Sequence, residues 1–406
     1  MPTTDPAPHA DHVRAIVSDE TARTVEIRRD LHAHPELMFE EERTAGVVAR
    51  ELTELGVEHR AGLARGTGVL AWLPATTDPD RAATIALRAD MDALPIQEET
   101  EKPYKSTRPG LMHACGHDGH TAILLGAARV LARLDERPHN VLLMFQPAEE
   151  GGAGAEKMVA DGALDGSLLG RPADLVYGLH GWPDMDAGVL STKPGALLAA
   201  TDEFIVRVRG RGCHAAYPHL GVDPVVVAAH TVTALQTISA RRVAPTDPVI
   251  VTVGAIHGGT TFNVIPDAVE IKGTIRTLAE DTRRFVEEEF RGIVGGVATS
   301  FGATAEIEWH AGYPATYNDE AATERFRRVA ESALGPHRFV EKPCATMGGE
   351  DFSYYGQAAP ACFFMLGLRP PTWHTYPNLH TPGFDFNDQA VPAGVETMVR
   401  LATDPV

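Results

Sequence analysis

Four short apolar runs that end abruptly in polar residues constrain this chain more than any other feature. They are ATIALRADMD (83–92), NVLLMFQPAEE (140–150), ADLVYGLHG (173–181) and ACFFMLGL (361–368). Runs of this length, apolar on both faces, fit central strands of a parallel or mixed sheet. Helical patterns such as TAILLGAARVLARL (121–134) lie between them. Strands alternating with helices predict an α/β layer fold with a mostly parallel sheet.

The middle of the chain has another texture. DEFIVRVRG (202–210) alternates apolar and charged residues, as a half-solvated strand does. DPVVVAAHTVTALQTISARR (223–242) reads as a helix with Asp223 at the N-cap, Pro224 at N1 and two arginines in the last turn. PVIVTVGAIHGG and AVEIKGTIRTL follow as strands, EDTRRFVEEEFRGIVGGVA as a helix and TAEIEWHAG as a last strand. The order β-α-β-β-α-β predicts a ferredoxin-like α+β unit over 191–311, inserted into a larger α/β/α domain made of 1–190 and 312–406. A chain of 406 residues has room for both, since single cores seldom grow past ~250–300 residues.

In open α/β sheets, ligands collect at the carboxyl ends of the strands. Asp90 and Asp92 follow one run, Glu149 and Glu150 a second, His180 a third. The stretch HACGHDGH (113–120) adds Cys115 and His117, with His113, Asp118 and His120 around them. One sheet edge thus carries carboxylates, a thiol and imidazoles together. Adjacent carboxylates such as Glu149 and Glu150 repel unless a cation compensates, and a divalent metal does so. One carboxylate can then ligate while its neighbour handles a proton. From the residues alone, Cys115 remains open to two readings: metal ligand, or nucleophile activated by a nearby histidine. The four cysteines are far apart with no C-x-x-C pair, so no disulfide framework is expected.

Charge and hydropathy exclude other classes. A formal net charge of −19 argues against sequence-independent nucleic-acid binding, which needs Lys and Arg on phosphates. No window approaches the ~18 consecutive apolar residues of a membrane span. The polar, Pro-rich start lacks the basic and apolar regions of a signal peptide, so a cytoplasmic protein is expected.

The chain resembles the M20 metallopeptidase family, in the amidohydrolase branch of aminoacylases, hippurate hydrolases and auxin–amino-acid conjugate hydrolases. The resemblance runs through DLHAHPELMFEE (30–41), RADMDALPI (88–96), MHACGHDGHTAILLGAA (112–128), FQPAEEGGAGA (145–155), GLHGWP (178–183), GRGCHAAYPHLGVDP (210–224), GAIHGGTTFNVIPD (254–267), GTIRT (273–277), MGGEDFSYY (347–355) and LHTPGFDF (379–386). It implies a zinc-peptidase-like catalytic domain with an inserted lid that also dimerises. It implies that Cys115, His117, Glu150, His180 and His380 hold the metal, two ions per subunit, with Cys115 shared between them. Thiolate and imidazole ligands suit Zn, Co or Ni, and carboxylates admit Mn.

Glu149 matches the general base toward a metal-activated water, later donating its proton to the leaving amine. Asp92 is read as orienting a ligand imidazole. His113 and His120 are read as framework, and His32 and His34 as part of a structural turn. His214, Asn263 and Arg276 match lid positions that meet the substrate of a neighbouring active site, the first two at a developing oxyanion and the arginine at a carboxylate. Gly348 and Gly349 match a loop lining the pocket, with Glu350 and Asp351 holding that loop. Cys213 stands where most relatives have glycine, which leaves the backbone geometry before His214 open.

The implied activity is hydrolysis of the amide of an N-acyl amino acid by a homodimer. The alternatives are a carboxypeptidase or dipeptidase on the same scaffold, a Cys115 thiol hydrolase, or a non-catalytic binding protein. A thiol hydrolase would have no use for Glu149, Glu150, His180 and His380, and a degenerate binder should have lost some of them.

Overall fold

The structure is a computed structural model that describes residues 6–406. It divides into two compact units. The first comprises residues up to Gly195, Tyr317–Pro343 and Asp351–Val406; the second comprises Ala196–Thr316 and Cys344–Glu350. Both ends of the second unit's main segment fall later than 191 and 311, and the unit also takes in the short returning piece at Cys344–Glu350.

The first unit is built on an eight-stranded sheet. In chain order its strands are β1 (Glu58–Leu63), β2 (Gly68–Leu73), β3 (Thr84–Asp90), β4 (Asn140–Gln146), β5 (Leu175–Asp186), β6 (Leu190–Thr192), β7 (Phe339–Glu341) and β8 (Ala361–Arg369). Their spatial order is β1-β2-β4-β3-β5-β8-β6-β7. The four central strands β4, β3, β5 and β8 run parallel. Every residue of β3 and β4 is buried, which is why they read as unbroken apolar runs. The core includes Ile85, Leu87, Val141, Leu143, Phe145, Leu179, Phe364 and Leu366.

The helix His117–Arg133 packs on this sheet with the helices Pro6–Ala33 and Val391–Thr403 beside it. It begins at His117 rather than Thr121, so His117, Asp118 and His120 occupy its buried first turn. Gly116, at φ 89°, turns the chain into the helix. At Gly119 a Cβ would lie 2.4 Å from the Phe386 ring, so only glycine lets that ring close over the first turn. The glycines of HACGHDGH thereby serve packing, while Cys115, His117 and His120 meet His180, Asp92 and Asp90 at the sheet edge and Asp118 turns to the helix Pro6–Ala33.

The second unit contains a four-stranded antiparallel sheet. Its strands, in spatial order, are Val249–Gly258, Ala268–Thr277, Ala200–Arg209 and Thr304–Ala311. The helices Pro224–Thr237 and Glu280–Ser300 pack against it around Phe204, Val206, Ile271, Val286 and Phe290. This is the ferredoxin-like β-α-β-β-α-β order. Asp223 caps the first helix through its carboxylate, which accepts the Val225 N–H at 2.9 Å, and Pro224 occupies the first turn. Among the described residues no helix is long and apolar enough to cross a membrane.

Candidate metal centre

Segments far apart in sequence converge at the carboxyl ends of the central strands. Cys115 is buried just before the helix His117–Arg133, with its Sγ 3.4 Å from His180 Nε2 and 3.3 Å from His380 Nε2. His180 lies within β5, not after it, and its Nδ1 donates to the Gly181 carbonyl at 2.8 Å. In the neutral ring that leaves Nε2 with a free lone pair toward the thiol. Burial, reinforced by the His120 charge, holds this imidazole well below its ordinary value. His380 stands on the loop after β8 at φ 60°, its own N–H docked on the Ala114 carbonyl at 2.8 Å. Its Nε2 also lies 3.0 Å from Glu150 Oε1.

His117 is oriented from behind. Its Nδ1 donates to Asp92 Oδ1 at 3.1 Å, and its buried Nε2 has no hydrogen-bond partner. Burial opposes charge on this ring, but Asp90 and then Asp92 outweigh it and push it up to about 10. The carboxylates therefore favour positive charge at this place. Cys115 responds in the opposite sense: burial first, then the charges of Glu150 and Glu149, push its thiol well up. Without a cation beside it the thiol stays protonated.

The donor atoms form overlapping clusters, each within 4.8 Å: Cys115 with His117 and His180, Cys115 with Glu150 and His380, and His117 with Glu149 and Glu150. One thiol, three imidazoles and two carboxylates, with an unpartnered buried Nε2 among them, fit a divalent metal.

Residues 86–404 match the profile of peptidase family M20/M25/M40. The chain belongs to that family. It is 43% identical over 366 residues to an N-acetyl-L-cysteine deacetylase of Bacillus subtilis, covering 90% of this chain and 84% of that protein. It is 37% identical over 384 residues to IAA-amino acid hydrolase ILR1-like 5 of Arabidopsis thaliana, covering 93% and 86% respectively. Among solved structures, the Bacillus subtilis YXEP protein, a dinuclear metal binding peptidase from the M20 family, aligns with a TM-score of 0.79 at 33% identity, over 95% of this chain and 98% of that one. This M20 protein is a metal-dependent amidohydrolase.

The acidic loop after β4 is clamped by carboxylates. Asp92 Oδ2 accepts the Glu150 N–H at 2.9 Å, and Glu41 Oε1 accepts the Ala148 N–H at 2.8 Å. Ala148 is held at φ 55°, a left-handed conformation unusual for alanine. Burial, then the Asp92 charge, raises Glu41 to about 7. Sequence reasoning passed over Glu41: its closing position in DLHAHPELMFEE gives no local sign that it reaches Ala148, 107 positions away. Glu149 is buried, and its Oε1 receives the Asp351 N–H at 3.4 Å.

The other histidines of the motif have separate places. His120 donates through Nδ1 to Asp90 at 2.7 Å and accepts the Gly181 N–H at Nε2 at 2.8 Å, so both nitrogens are engaged. Burial lowers its pKa despite Asp90. His113 is buried with neither nitrogen partnered, and burial brings it down to about 4. His32 lies in the last turn of the helix Pro6–Ala33 and pairs with Asp118 at 2.8 Å and Glu98 at 3.3 Å, a buried ion cluster rather than only a turn. His34 bonds back to that helix, at the Asp30 carbonyl.

In the second unit, Cys213–His214 and Val264–Ile265 form a two-stranded ribbon. His214 Nδ1 accepts the Ala216 N–H at 3.0 Å, which leaves the neutral ring with its proton on Nε2, free to donate. The Asn263 carbonyl accepts from Ala215 at 3.0 Å, so His214 and Asn263 share one ribbon. Cys213 sits in the strand outside the positive-φ region, so a side chain is accommodated before His214 without strain. Arg276 lies on the strand Ala268–Thr277, half-buried, and bonds Thr274 and the Ile275 carbonyl. Gly348 accepts the Ala199 N–H at 2.8 Å, and a Cβ on Gly349 would meet Thr201 at 2.3 Å.

Proposed function

We propose that this protein hydrolyses the amide bond of N-acyl amino acids, with Cys115, His117, Glu150, His180 and His380 holding up to two divalent ions and Glu149 serving as base and acid. One observation carries the reading: both adjacent glutamates lie within 4.8 Å of the same His117 nitrogen, but their hydrogen-bond partners differ. Glu150 sits 3.0 Å from His380 Nε2 among the candidate ligands, while Glu149 accepts from the Asp351 backbone. A bound metal of this kind lowers the pKa of water toward ~7 and polarises a carbonyl.

The chain's own groups do the rest. Glu149, buried at the edge of the cluster, takes the proton of the attacking water and returns it to the leaving amine nitrogen. Asp92 fixes the His117 tautomer and the Glu150 backbone together. Cys115 enters the donor set as thiolate, and its proton is released when a cation occupies the site. At a neighbouring active site, His214, with its donating Nε2, and Asn263 stabilise the oxyanion, and Arg276 receives the substrate carboxylate.

These three residues lie on the inserted unit, which acts as lid and dimer contact in this reading, Gly348 and Gly349 lining the pocket. Zn, Mn, Co and Ni are the candidate metals, the cytoplasm the place of action and a homodimer the assembly. The acetyl-amino-acid substrate in the deacetylase relative's name supports the substrate class.

A hydrolysis screen over N-acyl amino acids and dipeptides, with each metal supplied in turn, tests it. Turnover of acyl amino acids that disappears on exhaustive chelation and returns with metal is expected. Turnover confined to dipeptides would replace the substrate class. Activity that survives chelation but not thiol alkylation would move the chemistry to Cys115.

A further inference from the structure

A buried chain of charged groups runs from the histidine side of the centre to Glu149. His120 donates to Asp90 Oδ1 at 2.7 Å. Arg88, fully buried on β3, donates through Nη1 to Asp90 Oδ2 at 2.6 Å and through Nη2 to Asp351 Oδ1 at 2.9 Å. Its Nε donates to Gln146 Oε1 at 2.8 Å. Gln146 Nε2 in turn reaches both oxygens of Asp351 at 2.9 Å, and the Ala155 N–H adds a further bond to Oδ2 at 2.9 Å. The Asp351 carboxylate is thus pinned by N–H groups from β3, from the end of β4 and from beyond the Glu149 loop. Its own backbone N–H is the group that meets Glu149 Oε1 at 3.4 Å, a long contact of the kind that tightens when substrate binds.

We infer that Asp351 is a positioning residue for Glu149, coupled through Arg88 and Asp90 to the histidines, so that base and metal side are aligned by one buried network. The inference rests on Glu149 being the base. Two features of the chemistry favour it. A buried guanidinium needs a paired anion and partners for its N–H groups, and Arg88 finds both in Asp90 and Asp351. The Asp351 carboxylate accepts from Arg88, Gln146 and the Ala155 N–H, so an amide in its place sets an NH₂ against another N–H. Removing the Asp351 charge therefore releases the segment whose N–H orients Glu149, while every candidate metal ligand stays in place.

The test is a double-mutant cycle on the metal-loaded enzyme. Asp351→Asn should lower kcat about 100-fold, the scale of a misplaced reacting group, with KM and bound metal unchanged. Added to Glu149→Gln it should cost almost nothing more, because residues acting as a unit are not additive. Full additivity, a loss carried by KM or metal content, or an unchanged kcat would overturn the inference while leaving Glu149 as base. A fully active Glu149→Gln enzyme would remove the base reading and this one with it. Where Asp351→Asn does not fold, Gln146→Met takes its place. It removes two N–H contacts to Asp351 but keeps the Arg88 pair, and it should show a smaller kcat loss with the same non-additivity; additivity there also overturns the coupling.

Discussion

Asp92 holds His117 and the acidic loop with one carboxylate: Oδ1 accepts from the His117 ring at 3.1 Å and Oδ2 from the Glu150 N–H at 2.9 Å. The same residue thus sets a candidate ligand imidazole and the backbone of a candidate ligand carboxylate. Asp92→Ala should weaken metal binding about 10- to 100-fold, the usual effect of removing a partner behind a ligand. Titration of the apoprotein with Zn or Mn measures this directly. Affinity equal to that of the unmutated protein would show that His117 needs no orienting carboxylate.

Glu149→Gln separates the two glutamates. Metal content should stay at the level of the unmutated enzyme, and kcat should fall by about 10²- to 10⁴-fold, the contribution of general acid–base catalysis. Metal analysis beside steady-state kinetics decides it. Loss of metal would exchange the roles of Glu149 and Glu150.

How much of this is legible in the sequence follows from where the information lies. A strand buried on both faces must be apolar throughout, so the polar groups that end β3 and β4 stand out in the sequence. The β-α-β-β-α-β order is equally legible, because Asp223 and Pro224 mark a helix start by chemistry local to the turn. The first turn of the helix at His117 is hidden, since HDGH is polar and glycine-bearing and only long-range partners (Asp90, Asp92, His32) make it burial-competent. Arg88 and Asp351 meet across 263 positions, and no periodicity reports such a pair. The site's chemistry is visible in the motif, whereas the network that aligns it is not.

The His32–Asp118 pair predicts a pH dependence of stability. Burial opposes charge on His32, but Asp118 and Glu98 outweigh it and push the imidazole up to about 9. A group raised in the folded state binds its proton more tightly than in the unfolded chain. Its contribution is therefore complete below the unfolded value of about 6.5 and is lost as the pH climbs through about 9. His32→Gln should be less stable than the unmutated protein by a few kcal/mol at about pH 6, with the gap closing by about pH 9.5. Urea unfolding of metal-free samples at the two pH values reads the difference. A gap that is constant or widens with pH would mean that His32 is not protonated in the native state.

The last prediction concerns the inserted unit. His214 presents a donating Nε2 because its Nδ1 is occupied by the Ala216 N–H, and a donor aimed at an oxyanion acts where charge develops, not in the ground state. His214→Ala should therefore lower kcat by about 10²- to 10³-fold with little change in KM. In the proposed function Arg276 has a different part. A guanidinium on a substrate carboxylate binds ground state and transition state alike, so Arg276→Ala should raise KM more than it lowers kcat. The guanidinium is half-buried and donates to neighbours on its own strand, Thr274 and Ile275. The contrast between the two variants is the informative quantity. A kcat effect for His214 with a KM effect for Arg276 assigns them to the acyl carbonyl and the amino-acid carboxylate. Kinetics unchanged in both would confine the reaction to groups of the first unit.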